Sequence, residues 1–345
     1  MRSYTPIKKG VRTERQGCLS SQRPQVHTEG SGAAPAEDSE AVTATLSIAL
    51  KSLLRYRKKN TWALNMAPEC QGAGGKYEEE VNTDVDGDIL ARGLDEFDSE
   101  YRADFLKTLS YAIDILNIAI YQLRTAEPGG RVEQHLSKVF AVEEEGLNDI
   151  LDFSAMAKLL EENYSILRDA LIDFGGGHRN QISITDSMDH IASIHPNDPS
   201  RRLSLGLGFF EAATYLRAQA LIHEVSHQEL DTEDYWYNAA FKPTELSSHY
   251  YRKLEYLERS IDLQRKVVIG LSVEYIEDKA KFAMGLGMDS SDEDTDCQKA
   301  INLFHNDFVE RLDAYINNAD SVACLAPIIA GPDLVTLSNR GIYKK

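Results

Sequence analysis

The residues best suited to do chemistry form one short run, Leu221-Ile222-His223-Glu224-Val225-Ser226-His227. Two histidines four residues apart, with a glutamate directly after the first, make the pattern H-E-x-x-H. On a helix, positions i and i+4 share a face, so both imidazoles reach one metal ion. Glu224 is displaced around the helix but stays close to a water on that ion, where a general base has to be. The apolar neighbours Ala218, Leu221, Ile222 and Val225 favour a packed helix that holds its ligands rigidly. On this run alone the plainer reading, two histidines on a helix face with no metal, stays open.

A catalytic zinc needs a third protein ligand and an open position for water. Just downstream stand Asp231-Thr232-Glu233-Asp234-Tyr235-Trp236-Tyr237-Asn238. Taken with H-E-x-x-H, this segment resembles the aspzincin metallopeptidases, the deuterolysin and lysine-specific metalloendopeptidase group, in which G-T-x-D-x-x-Y-G follows the histidines. Thr232, Asp234 and Tyr237 stand in register with that pattern, and Asp231 and Asn238 replace its two glycines. The resemblance implies one catalytic Zn²⁺ held by His223, His227 and Asp234. It also implies Glu224 as general base and Tyr237 as a residue that helps stabilise the transition state.

Softer points of resemblance extend over about residues 100–330. Asp173-Phe174-Gly175 is similar to the family's aromatic-glycine step, and Leu205-Gly206-Leu207-Gly208-Phe209-Phe210 to its short strand and aromatic pair. Asn318-Ala319-Asp320-Ser321-Val322 matches the family's N-A-D-x-Y, with Val322 in place of Tyr. By that match Asp320 is a substrate-binding residue, part of an acidic pocket for a basic side chain. The acidic partner of lysine-specific members falls on Ala323, a departure that puts lysine preference in doubt. The implied function is zinc-dependent endopeptidase cleavage of protein or peptide substrates. Two other readings stay open: a catalytically silent, metal-binding helical interaction module, and a scaffold without metal.

The elements that must position these residues are mostly helical. Phe97 to Thr125 carries Tyr101, Phe105, Leu109, Ile113, Leu116, Ile120 and Leu123 at three- and four-residue spacing, stopped by Pro128-Gly129-Gly130. Ala155 to Phe174 repeats the period and stops at Gly175-Gly176-Gly177. The spacing predicts a short helix from Ile184 to Ile194, a brief strand at Leu203–Leu207 and a strong helix from Phe209 to Gln228. It then predicts a long helix from Pro243 to about Lys281, and final helices near Ala300–Asn318 and Asp320–Ile329. The fold class is therefore mainly α, α+β with a small sheet, and the resemblance makes it a zincin-like metallopeptidase domain with an H-E-x-x-H active-site helix. About 80 residues separate Tyr237 from Asn318, more than in compact family members, so residues 243–296 read as a helical insertion. The acidic run from Asp289 to Asp296 reads as a solvated loop closing it.

Composition bounds the rest. The chain has 345 residues, 42% of them apolar, enough for a sizeable core. Its net charge of −18 argues against a general nucleic-acid binder, since phosphate contacts need a basic surface. No apolar run approaches the roughly 18–20 residues of a membrane span. Residues 1–60 carry 11 Lys or Arg against 5 Asp or Glu, so a basic arm precedes a body of net charge −24. Residues 1–75 read as a disordered basic leader and linker, with an amphipathic stretch at 41–56, and 76–97 as an acidic linker to a domain spanning 98–335. Asn82 to Ile89 resembles half of a calcium loop, but Gly93 stands where the bidentate Glu is needed. Cys18, Cys70, Cys297 and Cys324 show no paired metal or redox spacing and read as thiols of a reducing compartment. Met1 to Gln16 is basic with no apolar core after it, unlike a secretory signal. A protease of that kind, led by a basic arm, resembles by analogy a bacterial effector or toxin made in the cytoplasm and exported by a dedicated machine, and an intracellular housekeeping protease would show the same features.

Overall fold

Helices form where apolar residues recur every three or four positions, and the longest shows it best. Phe105, Leu109, Ala112, Leu116, Ala119 and Leu123 form the buried face of a 26-residue helix. A computed structural model describes residues 88–143, 152–176, 181–188, 191–194, 202–238, 254–288 and 292–339. The basic leader, the amphipathic stretch at 41–56, residues 82–87 of the calcium-like run and the first part of the insertion lie outside the described residues.

In chain order the described elements are β1 (Ile89–Arg92), α1 (Ser99–Arg124), α2 (Arg131–Val139), α3 (Phe153–Gly175), β2 (Ile182–Thr185), β3 (Ala192–Ile194) and β4 (Leu203–Gly206). They continue as α4 (Leu207–Glu211), α5 (Thr214–Leu230), α6 (Leu254–Gly270), α7 (Lys279–Gly285), α8 (Glu293–Asn306), α9 (Phe308–Asn317), α10 (Ala319–Ala330) and α11 (Pro332–Asn339). The fold is mainly helical with one small mixed sheet, as the sequence leads one to expect. Helix α5 lies at its centre and packs against α1, α3, α10 and β3. Ala218, Leu221, Ile222 and Val225 on α5 have no exposed surface. The sheet order is β1-β2-β4-β3, with β2 parallel to β4 and the two outer strands antiparallel to their neighbours. β3 is therefore an edge strand, and it lies against α5.

Several elements differ from their expectation. Ile184 to Ile194 is not a helix. It contributes β2 and β3, because Ile182 and Ile184 alternate with polar residues and both bury on one face of the sheet. β1 arises within the stretch read as an acidic linker, pairing with β2 through Ile89↔Thr185 and Arg92↔Ser183. The helix expected over 209–228 is two helices, parted at Ala212 and Ala213, whose backbones are extended (ψ 155° and 144°). Phe209 and Phe210, on the short helix before the break, are both buried in the core.

The insertion is also divided. Its first described helix, α6, ends at Gly270; a 3₁₀ turn at Val273–Tyr275 follows, and Asp278 then caps α7 by accepting from Lys281 N at 2.9 Å. The acidic run is not a solvated loop throughout. Asp292 caps α8, and Glu293, Asp294 and Asp296 fill its first turn, where negative charge complements the helix dipole. α6 packs on α2, α10 and α11, and α8 on α7 and α9, so the insertion is built into the body.

Candidate metal centre

Helix α5 sets His223 and His227 one turn apart, with their Nε2 atoms 3.2 Å from each other. The helix then stops at Asp231, whose φ of 56° and ψ of 40° are left-handed. That conformation reverses the chain and folds Thr232 to Asp234 back over the last turn. Asp adopts it more readily than most residues do, because its short side chain bonds locally. Ser226 Oγ donates to His223 O at 2.7 Å and lies 2.7 Å from Thr232 Oγ1, so the threonine hydroxyl donates to it. His227 Nδ1 lies 2.7 Å from Thr232 O. A carbonyl can only accept, so Nδ1 carries the proton and Nε2 turns its lone pair to the cavity.

The returning loop brings Asp234 to the two imidazoles. Its Oδ1 is 3.2 Å from His223 Nε2 and its Oδ2 is 3.5 Å from His227 Nε2. Oδ1 is buried and makes no hydrogen bond of acceptable geometry. Such an orphaned acceptor facing two imidazole nitrogens marks a place for a cation. His223, His227 and Asp234 each offer one atom, all within 4.8 Å of one another, and the group can hold a metal ion. Ligands on a tetrahedral ion at about 2.0–2.2 Å stand about 3.3–3.5 Å apart, close to the separations seen here. Two imidazoles and a carboxylate form a donor set suited to zinc.

Electrostatics follow from this crowding. Burial opposes charge on His223, but the adjacent Asp234 and Asp320 carboxylates outweigh it and raise its pKa to about 10. His227 is likewise raised, burial being overcome by Asp234. Burial also opposes charge on Asp234, yet the two imidazoles hold it far below the usual carboxylate range. Glu224 is pushed up by burial, against the pull of both histidines and of a backbone amide. That amide is Ile194 N of β3, 2.8 Å from Glu224 Oε2, while Oε1 lies 3.9 Å from His223 Nε2. Tyr237 stacks 6.3 Å from the His223 ring at an interplanar angle of 15°. Burial and then the Asp234 charge push its phenol well above the ordinary value, so it keeps its proton.

The 318–320 segment is tied to the same loop. Glu233 N donates to Asn317 O at 2.9 Å, and Ala319 N donates to Glu233 O at 3.1 Å. Asn318, fully buried, accepts from Tyr235 N at 3.0 Å and from Trp236 N at 3.1 Å. Asp320 Oδ2 accepts from Asn238 N at 2.6 Å, and Oδ1 lies 3.6 Å from His223 Nδ1. Asp320 thus stands behind the His223 imidazole as well as on the cavity wall. Every site residue expected from the sequence therefore lies in one cluster. Asn318 as the clamp of the loop, Asn238 as the donor to Asp320 and the Ile194 amide went unnoticed. Asn318 stood inside a quoted motif, but a sequence does not reveal which backbone amides a side chain will meet.

The cluster opens on a cavity of about 880 Å³, bounded by β3, α5, the 233–238 loop, α6, α7 and α10. No protein-family model matches this chain, and no curated protein or solved structure matches it either.

Proposed function

We propose that this chain is a zinc-dependent endopeptidase that cleaves protein or peptide substrates, with the aspzincin arrangement of residues. The observation that carries this reading is the convergence of two imidazole Nε2 atoms and an orphaned carboxylate oxygen, with Glu224 alongside. His223, His227 and Asp234 hold the ion. When bound, zinc supplies Lewis acidity at the carbonyl and lowers the pKa of a coordinated water to about 7. Glu224 takes a proton from the attacking water and delivers it to the leaving amine. Its raised pKa suits both halves of that task. The Tyr237 phenol donates to the carbonyl oxygen as negative charge develops there. Asp320 orients His223 through Nδ1. Residues 191–194 line the cavity along an edge strand, which supports an extended peptide docking by strand addition.

No helix among the described residues is long and apolar enough to cross a membrane. The test pairs metal analysis of purified protein with identification of new N-termini in a lysate treated with wild type or Glu224→Ala. Zinc near one equivalent, with cleavages that vanish in the variant, is expected. Zinc with no cleavage by wild type would leave a binding module instead.

A further inference from the structure

The wall of the cavity beyond the metal residues has a chemistry of its own. α5 and α10 run antiparallel along it, since His223 faces Asp320 and, one turn away on each helix, Gln219 Nε2 meets Cys324 Sγ at 3.7 Å. Asp320, Cys324 and Ile328 repeat every four residues and share one face of α10, each about 6 Å further along its axis. Leu216 and Ala220 face them from α5. α6 closes the third side with Ser260, Leu263 and Gln264, again at helical spacing.

Charge is distributed unevenly around this cavity. Glu233, Glu277, Asp278 and Lys281 lie at its loop end, with Lys281 paired to Glu233 at 2.9 Å. Among the described residues the α5, α6 and α10 walls carry two carboxylates, Glu224 beside the metal residues and Asp320, whose oxygens face the Asn238 amide and His223. Ala323, where an acidic residue was sought, is buried and does not line the cavity at all. Cys324 beside it is half-buried and lines the cavity.

Resting on the peptidase reading above, we infer that this groove is a side-chain pocket that selects an uncharged aliphatic residue next to the scissile bond. A lysine there would carry its ammonium past Asp320 into a groove of Leu216, Ala220, Leu263, Cys324 and Ile328, edged by the uncharged polar residues Gln219, Ser260 and Gln264, with no carboxylate among the described residues to meet it. A leucine or methionine side chain would instead replace water along the apolar part of that surface.

Two measurements test this. In the first, wild-type protein is given peptides randomised at both residues flanking the cut. A preference of at least about tenfold in kcat/KM for Leu or Met over Lys at one flanking position is expected. Cys324→Glu should move that preference toward Lys. In the second, labelling of Cys324 by N-ethylmaleimide is followed by mass spectrometry in zinc-loaded Glu224→Gln protein. A Leu-containing peptide should slow labelling several-fold more than its Lys counterpart. Cleavage at Lys as efficient as at Leu, or equal protection by the two peptides, overturns the inference and leaves the peptidase reading standing. Absence of any cleavage overturns the peptidase reading, and differential protection of Cys324 still decides the pocket.

Discussion

At the residue scale the centre is a balance of protons against a metal. Without an ion, the proton on His223 is held by the neighbouring Asp234 and Asp320 carboxylates, which is why its pKa sits near 10. An unfolded histidine titrates at about 6.5. The stabilisation from this charge is therefore complete below about pH 6.5 and is lost as pH rises through about 10. The Tm of chelator-treated protein should accordingly fall between those limits. In Asp234→Asn that alkaline dependence should flatten, and a profile identical to wild type would contradict the assignment. Zinc must displace the same proton, so its affinity should rise with pH over the same range. Asp320→Asn should weaken zinc about 10- to 100-fold in a chelator competition, the loss expected of a carboxylate behind a ligating imidazole. Asp231 adds a backbone argument, because its φ of 56° is costly for most side chains. Asp231→Val should destabilise by about 1–2 kcal/mol in denaturant melts, whereas Asp231→Gly should not.

At the element scale, what was legible in the sequence is what obeys a period or a motif. α1, α3 and α5 declared themselves through apolar spacing, and His223, His227 and Asp234 through their intervals. β2 and β3 did not, because Ile184, Met188, Ile191 and Ile194 also fit a helix and only pairing with β4 decides against it. The break at Ala212–Ala213 has no breaker residue to announce it. The role of the insertion was equally hidden, since it depends on contacts across the chain. Tyr235 O accepts from Glu277 N at 2.9 Å, and Tyr235 and Trp236 both pack edge-on against Phe282 of α7. α7 thus braces the loop that carries Asp234. Gly285 ends that helix directly against the Tyr235 hydroxyl, where a Cβ has no room. Gly285→Ala should cost about 1–3 kcal/mol in stability. Because the displaced residue adjoins Asp234, it should also lower zinc affinity, which calorimetry would read separately.

At the scale of the whole molecule, the net charge of −18 and the apolar groove act at different distances. The body beyond residue 60 carries −24, and on the peptidase reading its field would draw cationic segments toward a cavity rimmed by Glu233, Glu277 and Asp278. Selection beside the scissile bond, as proposed for the groove, would be a contact property settled after that encounter. The two should separate with salt. Between about 0.01 M and 0.1 M ionic strength the screening length shrinks from about 30 Å to about 10 Å, so remote charges lose their reach while touching groups do not. For a peptide with a lysine cluster well away from the cut, kcat/KM should fall several-fold over that range, with little change for a neutral peptide of the same core. The preference for Leu over Lys at the flanking position should stay constant throughout. A flanking preference that collapsed with salt would mean that the same long-range field sets both, and the groove would then have no separate part in choosing the substrate.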